Sequence, residues 1–179
     1  MKKIYTIIYI ILILFLITIF GCRKEKCPGF PTGLNFFPYS KGQELKFINS
    51  LNEIKSFIIE EKYSSLPYEL CNGLYGKCAC EPPKSGFFTY QNQDSIQIQC
   101  SLEIWDNNVL EASSQFRYSY LYSDYFFKEF SNATTFLSEI DTITIEGNNS
   151  KICKKVVIVK EKGLVSYTTA DGEEWKLVE

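Results

Sequence analysis

Apolar and polar residues alternate along several segments of the chain, and this period of two predicts β-strands. The clearest segment is 96–104, in which every second residue is apolar and the residues between are Gln, Ser or Glu. Only a half-buried strand places every second side chain on one face. After the polar residues 106–108, aromatic residues at 116, 118, 120 and 122 alternate in the same way. We therefore predict a strand at 116–122 that pairs with 96–104 in an antiparallel hairpin.

Three further hairpins are predicted from paired strands with turn-forming residues between them. Their strands are 43–49 with 54–63, 141–146 with 151–159, and 163–169 with 175–178. Asn, Asp and Gly occur in the connections, as turns require. This pattern predicts a mainly β fold, an antiparallel meander that forms either a sandwich or a curved, partly open barrel-like sheet. Segment 123–130 fits either a short helix or an aromatic-rich strand.

The first 22 residues have the pattern of a secretory signal. Two lysines precede an unbroken apolar run from Ile4 to Phe20, and Gly21 and Cys22 follow. The sequence Ile19-Phe20-Gly21-Cys22 resembles the lipobox of bacterial lipoproteins. This resemblance implies cleavage before Cys22 and acylation of Cys22, which anchors the mature protein to the membrane. The alternative is an uncleaved membrane helix, but the run would span only roughly 26 Å of a core of about 30 Å.

The sequence divides into a signal peptide at 1–21, an acylated N-terminus and tether at 22–33, and a single β-rich extracytoplasmic domain at 34–179. Pro28, Gly29, Pro31 and Gly33 are typical of a tether. Without Lys2 and Lys3 the chain has 17 basic and 21 acidic side chains. This acidic balance argues against a nucleic-acid partner, which requires clustered Lys and Arg.

Two segments of the domain carry a family resemblance. Residues 38–47, PYSKGQELKF, and residues 162–167 with 171–177, KGLVSY and DGEEWKL, are similar to the openings and closings of small uncharacterised lipoproteins of Bacteroidota. The resemblance implies a β-rich domain on the outer membrane and brings no catalytic residues. Some members carry an acidic export signal after the acylated cysteine, whereas Arg23-Lys24-Glu25-Lys26 has one acid among three bases. We therefore expect a periplasm-facing rather than a surface-exposed position.

Six cysteines remain besides Cys22, and an even number outside the cytoplasm predicts disulfides. These disulfide candidates are Cys27, Cys71, Cys78, Cys80, Cys100 and Cys153. We expect bridges from the segment 70–81 into the sheet, with Cys100 as one anchor, and the pairing stays open. No metal is expected, because the spacings fit no common zinc site and the chain has no histidine. Cys78-Ala79-Cys80 leaves thiol–disulfide exchange as a weaker alternative.

The absence of histidine also excludes His-based triads, HExxH metal sites and His general bases. No Gly-rich phosphate loop is present, and no two carboxylates are marked as a glycosidase pair. We therefore expect a non-enzyme without a cofactor. Its aromatic residues are its main resource for binding a protein, lipid or glycan partner. The candidates for ligand binding are Tyr118, Tyr120, Tyr122, Phe126 and Phe127.

The function expected from the sequence is an interaction or scaffold module on the membrane. The alternative is a carrier that holds an apolar ligand within a curved sheet. Asp94-Ser95-Ile96 and Asp141-Thr142-Ile143 resemble the Asp-Ser/Thr-aliphatic acceptor of O-glycosylation in this bacterial group. Ser95 and Thr142 are therefore candidate modification sites, because both lie near turns where a bulky polar group stays in water.

Overall fold

The computed structural model describes residues 30–31, 33–64, 69–71, 78–80, 82–91, 96–105, 108–118 and 122–178. These residues form twelve strands and one short helix. The strands are β1 (Glu44–Ile48), β2 (Ile54–Ser64), β3 (Glu69–Cys71), β4 (Cys78–Cys80), β5 (Lys84–Gln91), β6 (Ile96–Trp105), β7 (Val109–Tyr118), β8 (Tyr122–Phe130), β9 (Thr142–Glu146), β10 (Cys153–Val159), β11 (Gly163–Thr169) and β12 (Glu174–Leu177). The helix α1 (Ala133–Glu139) lies between β8 and β9.

Ten of the strands form one antiparallel sheet in the order β8-β7-β6-β5-β2-β1-β12-β11-β10-β9. Neighbours in the sheet are consecutive along the chain, except that β2 pairs with β5 and β12 pairs with β1. The sheet curves into a nearly closed barrel whose seam lies between β8 and β9. Strands β3 and β4 pair only with each other. The predicted antiparallel meander is confirmed, and its form is barrel-like.

The four predicted hairpins are confirmed, and asparagine supplies the backbone conformation that three of their turns need. Asn52, Asn108 and Asn149 have φ values of 62°, 59° and 64° in the connections β1–β2, β6–β7 and β9–β10. Asparagine enters this left-handed region more readily than other residues with a side chain. Segment 123–130 is a strand, since β8 covers it.

The prediction of one continuous strand at 116–122 is wrong. Strand β7 ends at Tyr118, and Tyr122 begins β8 directly opposite Tyr118. The aromatic alternation continues through this reversal because residues paired across a hairpin share a face, just as residues two apart in one strand do. Periodicity alone therefore did not reveal the turn. Tyr120 lies outside the described residues.

The barrel interior is filled by large apolar side chains centred on Tyr167. The ring of Tyr167 lies 5.2 Å from that of Phe47, 5.6 Å from Phe116 and 6.1 Å from both Phe57 and Trp175, centroid to centroid. Aromatic pairs at such distances add to the free energy gained by burying their area. These contacts join strands from both halves of the sheet into one core.

The segment before β1 also packs into this core. Phe36, Phe37 and Tyr39 are buried, and the rings of Phe37 and Tyr39 lie 5.3 Å and 4.8 Å from that of Phe87. The hydroxyl of Tyr39 accepts the backbone N–H of Leu164 at 2.5 Å. Burial raises the pKa of Tyr39 well above its ordinary value.

The prediction that Cys100 and Cys153 form disulfides is wrong. Both are free thiols buried in the interior. The Cys100 sulfur lies 3.3 Å from Ser114 Oγ, and the Cys153 thiol donates to the carbonyl of Lys155 at 3.3 Å. Burial raises the pKa of each thiol to about 12. Their inward positions on β6 and β10 give both side chains a role in packing.

The seam of the barrel is bridged by polar contacts and by α1. Asp124 on β8 accepts the backbone N–H groups of Ile152 and Cys153, the latter at 3.1 Å. The helix carries the chain from β8 to β9, with Ala133 and Leu137 buried. Its first residue donates its backbone N–H to the carbonyl of Asn108 at 2.8 Å.

Candidate functional site

The outer face of β5 to β8 gathers amide, guanidinium and aromatic side chains. The antiparallel register aligns Phe88 with Gln99, Gln99 with Gln115 and Gln115 with Tyr125 in one row across four strands. Directly paired residues share a face of the sheet, so these side chains are neighbours. We call this surface the amide–aromatic face; its residues are Phe88, Gln97, Gln99, Gln115, Arg117, Tyr125 and Phe127.

Two exposed rings form the β8 margin of this face. The side chain of Tyr125 is 56% exposed and that of Phe127 is 52% exposed, and their ring centroids lie 6.1 Å apart. The Tyr125 hydroxyl donates to Glu111 Oε1 at 3.0 Å, which holds the ring in place. Partial burial raises the pKa of Tyr125. These rings are large apolar surfaces presented to solvent on an otherwise polar sheet face.

A third ring, that of Tyr63 on β2, lies against Gly86 of β5, on the side of the face opposite β8. A Cβ atom at Gly86 would come within 2.7 Å of the Tyr63 hydroxyl oxygen, so only glycine allows the ring to lie flat here. Gln99 Nε2 donates to this hydroxyl at 3.2 Å. Burial raises the pKa of Tyr63. The contact fixes the amide of Gln99 and leaves its carbonyl oxygen as an acceptor.

A shallow groove of about 260 Å³ lies at the centre of the face, lined by Phe88, Gln97, Gln99, Gln115 and Arg117. Gln115 Nε2 donates to Ser123 Oγ at 2.8 Å, so a second amide is also oriented. Arg117 is exposed, and no carboxylate of the described residues forms an ion pair with it. The groove therefore offers amide acceptors and one cation.

Carboxylates lie at the other end of the same strands. Glu103 on β6 is opposite Glu111 on β7, and Glu111 is opposite Glu129 on β8. Lys84 Nζ lies 2.9 Å from Glu103 Oε1. Charge is thus distributed along the face, with Arg117 at one end and the carboxylates at the other.

The structure does not bring the ligand-binding candidates from the sequence into one site. Phe126 is buried and stacks with Phe116 at 6.3 Å, whereas the next residue, Phe127, points outward. Tyr118 is 47% exposed at the end of the barrel. Only the backbone of Tyr122 is described. Phe127 is therefore the one candidate that the structure places on the amide–aromatic face.

Tyr118 belongs to a different depression, which we call the rim groove. Its volume is about 570 Å³, and it is lined by Tyr118, Lys151, Ile152, Thr169, Ala170 and Asp171. The Asp171 carboxylate accepts the hydroxyl of Thr169 at 2.5 Å, and this bond lowers the pKa of Asp171. The rim groove is open and wide, and its carboxylate is already used within its own turn.

Sequence reasoning missed most of the amide–aromatic face. Gln97 and Gln99 enter the sequence prediction only as polar positions between core residues, and Gln115 and Arg117 have no part in it. The available signal was their chemistry, because these four positions hold three amides and one arginine.

The remaining predicted sites lie on β3, β4 and β9 or outside the described residues. Cys71 is directly opposite Cys78, and Cys80 is opposite Glu69, in the β3–β4 register. Thr142 is exposed at the start of β9. Cys22, Cys27 and Ser95 lie outside the described residues. Among the residues that are described, no group of three or more His, Cys, Asp or Glu side chains could hold a metal ion.

Comparisons with protein-family models, curated proteins and solved structures gave no match to this chain. Within the described part, α1 is the only helix, and no helix there has the length and apolar character needed to cross a membrane. Any assignment of function must therefore come from the residues themselves.

Proposed function

We propose that this chain is a membrane-anchored interaction module, tethered through acylated Cys22, and that the amide–aromatic face is its binding surface. The observation that carries the proposal is the exposure of Tyr125 and Phe127 beside the groove on β5 to β7. Exposed rings next to convergent polar groups are the usual composition of a recognition surface. The proposed location is the periplasmic side of the outer membrane.

The contacts inside the barrel favour a packed core over the ligand cavity that a carrier would need. An apolar ligand of ordinary size needs a cavity of at least about 300 Å³. Inward positions of the described strands hold rings in mutual contact, such as Phe47, Phe57, Phe116 and Trp175 around Tyr167. We therefore place the binding function on the outside of the sheet.

The thiols support exchange chemistry poorly. A thiol exchanger needs an accessible thiolate. Cys100 and Cys153 are buried, and burial raises the pKa of each to about 12. Exchange would have to use Cys78 and Cys80, whose backbone lies in β4.

Site-specific photo-crosslinking in intact producing cells tests the binding surface. A photoreactive residue at position 127 should form adducts, and one at position 54 should not. Ile54 is a matched control because it is 61% exposed and pairs with Ile48 on β1, outside the amide–aromatic face. Equal adduct yields at the two positions, or none at 127, would contradict the proposal.

Cys22→Ser tests the anchor. The variant should lose acyl mass on residue 22 and move from the detergent phase to the aqueous phase, because two or more lipid signals are needed for stable anchoring. Cys27→Ser serves as the control and should remain lipidated. A Cys22→Ser protein that is cut at the same bond and stays with the membrane would contradict the lipoprotein proposal.

A further inference from the structure

We infer that the ligand of the amide–aromatic face is an acidic oligosaccharide whose carboxylate pairs with Arg117 and whose sugar rings lie along the groove. This inference rests on the proposed function and adds the chemical class of the ligand. Three properties of the face support it: the position of its rings, the orientation of its amides and the position of its single cation.

Phe88 lines the β5 side of the groove, the exposed rings Tyr125 and Phe127 lie on β8, and the amides lie between them. Phe88 lies on β5 and Tyr125 on β8, so about three strand spacings, roughly 14 Å, separate them. Gln99 and Gln115 lie between them on β6 and β7. An extended ligand across these strands would meet a ring, then two amides, then a ring. Sugars present apolar C–H faces and hydroxyl edges, so this order of groups suits a sugar chain.

A protein partner would favour the reverse arrangement. Protein interfaces have a dry apolar centre surrounded by a polar rim, and their strongest contacts cluster at that centre. Here the groove is lined by three glutamines, Arg117 and a single ring, Phe88, and the exposed rings Tyr125 and Phe127 lie to one side. A polar centre that stays hydrated matches a ligand that is itself covered in hydroxyl groups.

The amides are oriented before any ligand arrives. Gln99 donates to Tyr63, and Gln115 donates to Ser123. Each bond uses an N–H group and directs the remaining carbonyl oxygen, an acceptor for a ligand hydroxyl. Groups that are already held in place lose less conformational entropy on binding.

The charge of the ligand follows from Arg117. A guanidinium matches a carboxylate with two parallel hydrogen bonds. Arg117 is exposed and unpaired among the described residues, and it is three rows away from the carboxylates Glu111 and Glu129. An anionic group would therefore be attracted to the Arg117 end and repelled from the other. This asymmetry favours an acidic sugar at Arg117.

The test uses the purified full-length chain in detergent micelles and an array of uronate-containing oligosaccharides, each printed beside its carboxyl-reduced neutral counterpart. At least one acidic member should bind at least 10-fold more tightly than its reduced counterpart, because only the acid can pair with Arg117. Binding should weaken as salt increases.

Variants then assign the binding to the face. Arg117→Gln should lose at least 10-fold in affinity for the acidic sugar and little for any neutral one. Phe127→Ala should weaken both. Lys41→Gln and Leu51→Ala, which change an exposed cation and an exposed apolar side chain outside the face, should bind as the wild type does. Unchanged melting temperatures show that each variant is folded.

The outcomes separate the two proposals. Binding of no acidic oligosaccharide, equal binding of acid and reduced forms, or full affinity in Arg117→Gln would each overturn the inference. If the array is negative while position 127 crosslinks to a protein in cells, the ligand class is wrong and the interaction module stands. If neither experiment detects binding, both proposals fail.

Discussion

Asp124 and Cys153 lie on opposite sides of the barrel seam, and the Asp124 carboxylate accepts the backbone N–H of Cys153 at 3.1 Å. The same oxygen also accepts the N–H of Ile152. Strands β8 and β9 are the two ends of the sheet order, so no ladder of backbone hydrogen bonds joins them. One side chain therefore supplies part of the pairing that a closed barrel would obtain from its backbone.

Asp124→Ala should lower the free energy of unfolding by about 2 kcal/mol, because hydrogen bonds to a charged group contribute about 1.5–3 kcal/mol. Asp124→Asn keeps one acceptor oxygen and should lose less. Urea denaturation measures both values. Glu139→Ala, an exposed carboxylate on α1, is the control and should change stability by less than about 0.5 kcal/mol. Equal effects of Asp124→Ala and Glu139→Ala would show that the seam does not depend on Asp124.

The close contact of Tyr39 with Gly163 gives a second prediction. Gly163 has a φ of +86°, and a Cβ atom there would lie 2.0 Å from the Tyr39 hydroxyl oxygen and 2.3 Å from Cζ. Gly172 has a φ of +100°, but its Cβ would meet only the flexible Lys154 Nζ, at 3.2 Å. Gly172→Ala should cost about 1 kcal/mol through backbone strain alone, and Gly163→Ala should cost at least about 3 kcal/mol.

A double-mutant cycle measures the steric part of this difference. In Tyr39→Leu the clashing ring is gone, so adding Gly163→Ala should cost no more than Gly172→Ala does. The free energies of unfolding of the wild type, the two single variants and the double variant give the coupling. Additive effects of Tyr39→Leu and Gly163→Ala would contradict the proposed clash.

The strands of the meander could be predicted from the sequence because their two faces differ in polarity. Residues 96–104 and 142–146 alternate strictly, and Asn108 and Asn149 mark the turns beside them. Closure of the barrel could not be predicted, because no local sequence pattern indicates which strands that are far apart along the chain will pair. Pairing of β1 with β12 joins residues near both ends of the domain.

Helix α1 has only a weak sequence signal, because Asn132 is a preferred N-cap residue but no Glu or Gln follows three residues later. It has seven residues, its N-cap Asn132 makes no side-chain capping bond, and its first turn has no acidic residue. Usual helix starts combine a capping side chain with such acids. Here the helix start is held instead by Asn108 from the β6–β7 turn, whose Oδ1 accepts the Thr134 hydroxyl at 2.9 Å. A short stretch of sequence around the helix cannot reveal this contact, because Asn108 and Thr134 are far apart along the chain.

The amide–aromatic face could be predicted only in its parts. The sequence shows Gln97, Gln99 and Gln115 as polar positions. It also shows that Phe126 and Phe127, as adjacent residues of a strand, must point to opposite faces. Their assembly depends on the register between four strands, and a shift of one residue would move every side chain to the opposite face. That register is a property of the folded sheet.

The buried thiols predict a particular pH dependence. Burial raises the pKa of Cys100 and Cys153 from 9.0 to about 12. Above about pH 9 the unfolded chain releases these protons and the native chain keeps them, so stability must fall as pH rises. Between pH 8 and pH 10 the loss should be about 1–2 kcal/mol per thiol.

Urea denaturation across this pH range should show a smaller decline in Cys100→Ala than in the wild type, whatever the stability of the variant at pH 8. Part of the fall in stability should remain in Cys100→Ala, because burial also raises the pKa values of Tyr39 and Tyr167. Iodoacetamide at pH 8 should leave residues 100 and 153 unlabelled in the native protein and label both in urea. Rapid labelling of the native protein at either position would contradict their burial.

The β3–β4 register predicts one disulfide, between Cys71 and Cys78. Directly opposed residues of an antiparallel pair have Cα atoms about 4.5–5.5 Å apart, within the range that a disulfide spans. The register gives Cys78 this position opposite Cys71, whereas Cys80 is opposite Glu69. Oxidation by a thiol oxidoreductase or by glutathione disulfide would close a short loop and stabilise the chain by about 2–3 kcal/mol.

Peptide mapping distinguishes this pairing from its neighbour. Trypsin cuts after Lys62, Lys77 and Lys84, so it releases Cys71 in peptide 63–77 and both Cys78 and Cys80 in peptide 78–84. Without reduction, the two peptides should be recovered as one linked species. Cys78→Ser should abolish the linked species and lower stability, and the control Cys80→Ser should keep both. Linkage that survives Cys78→Ser and disappears in Cys80→Ser would assign the bridge to Cys71 and Cys80 and show that the backbone register does not decide the pairing.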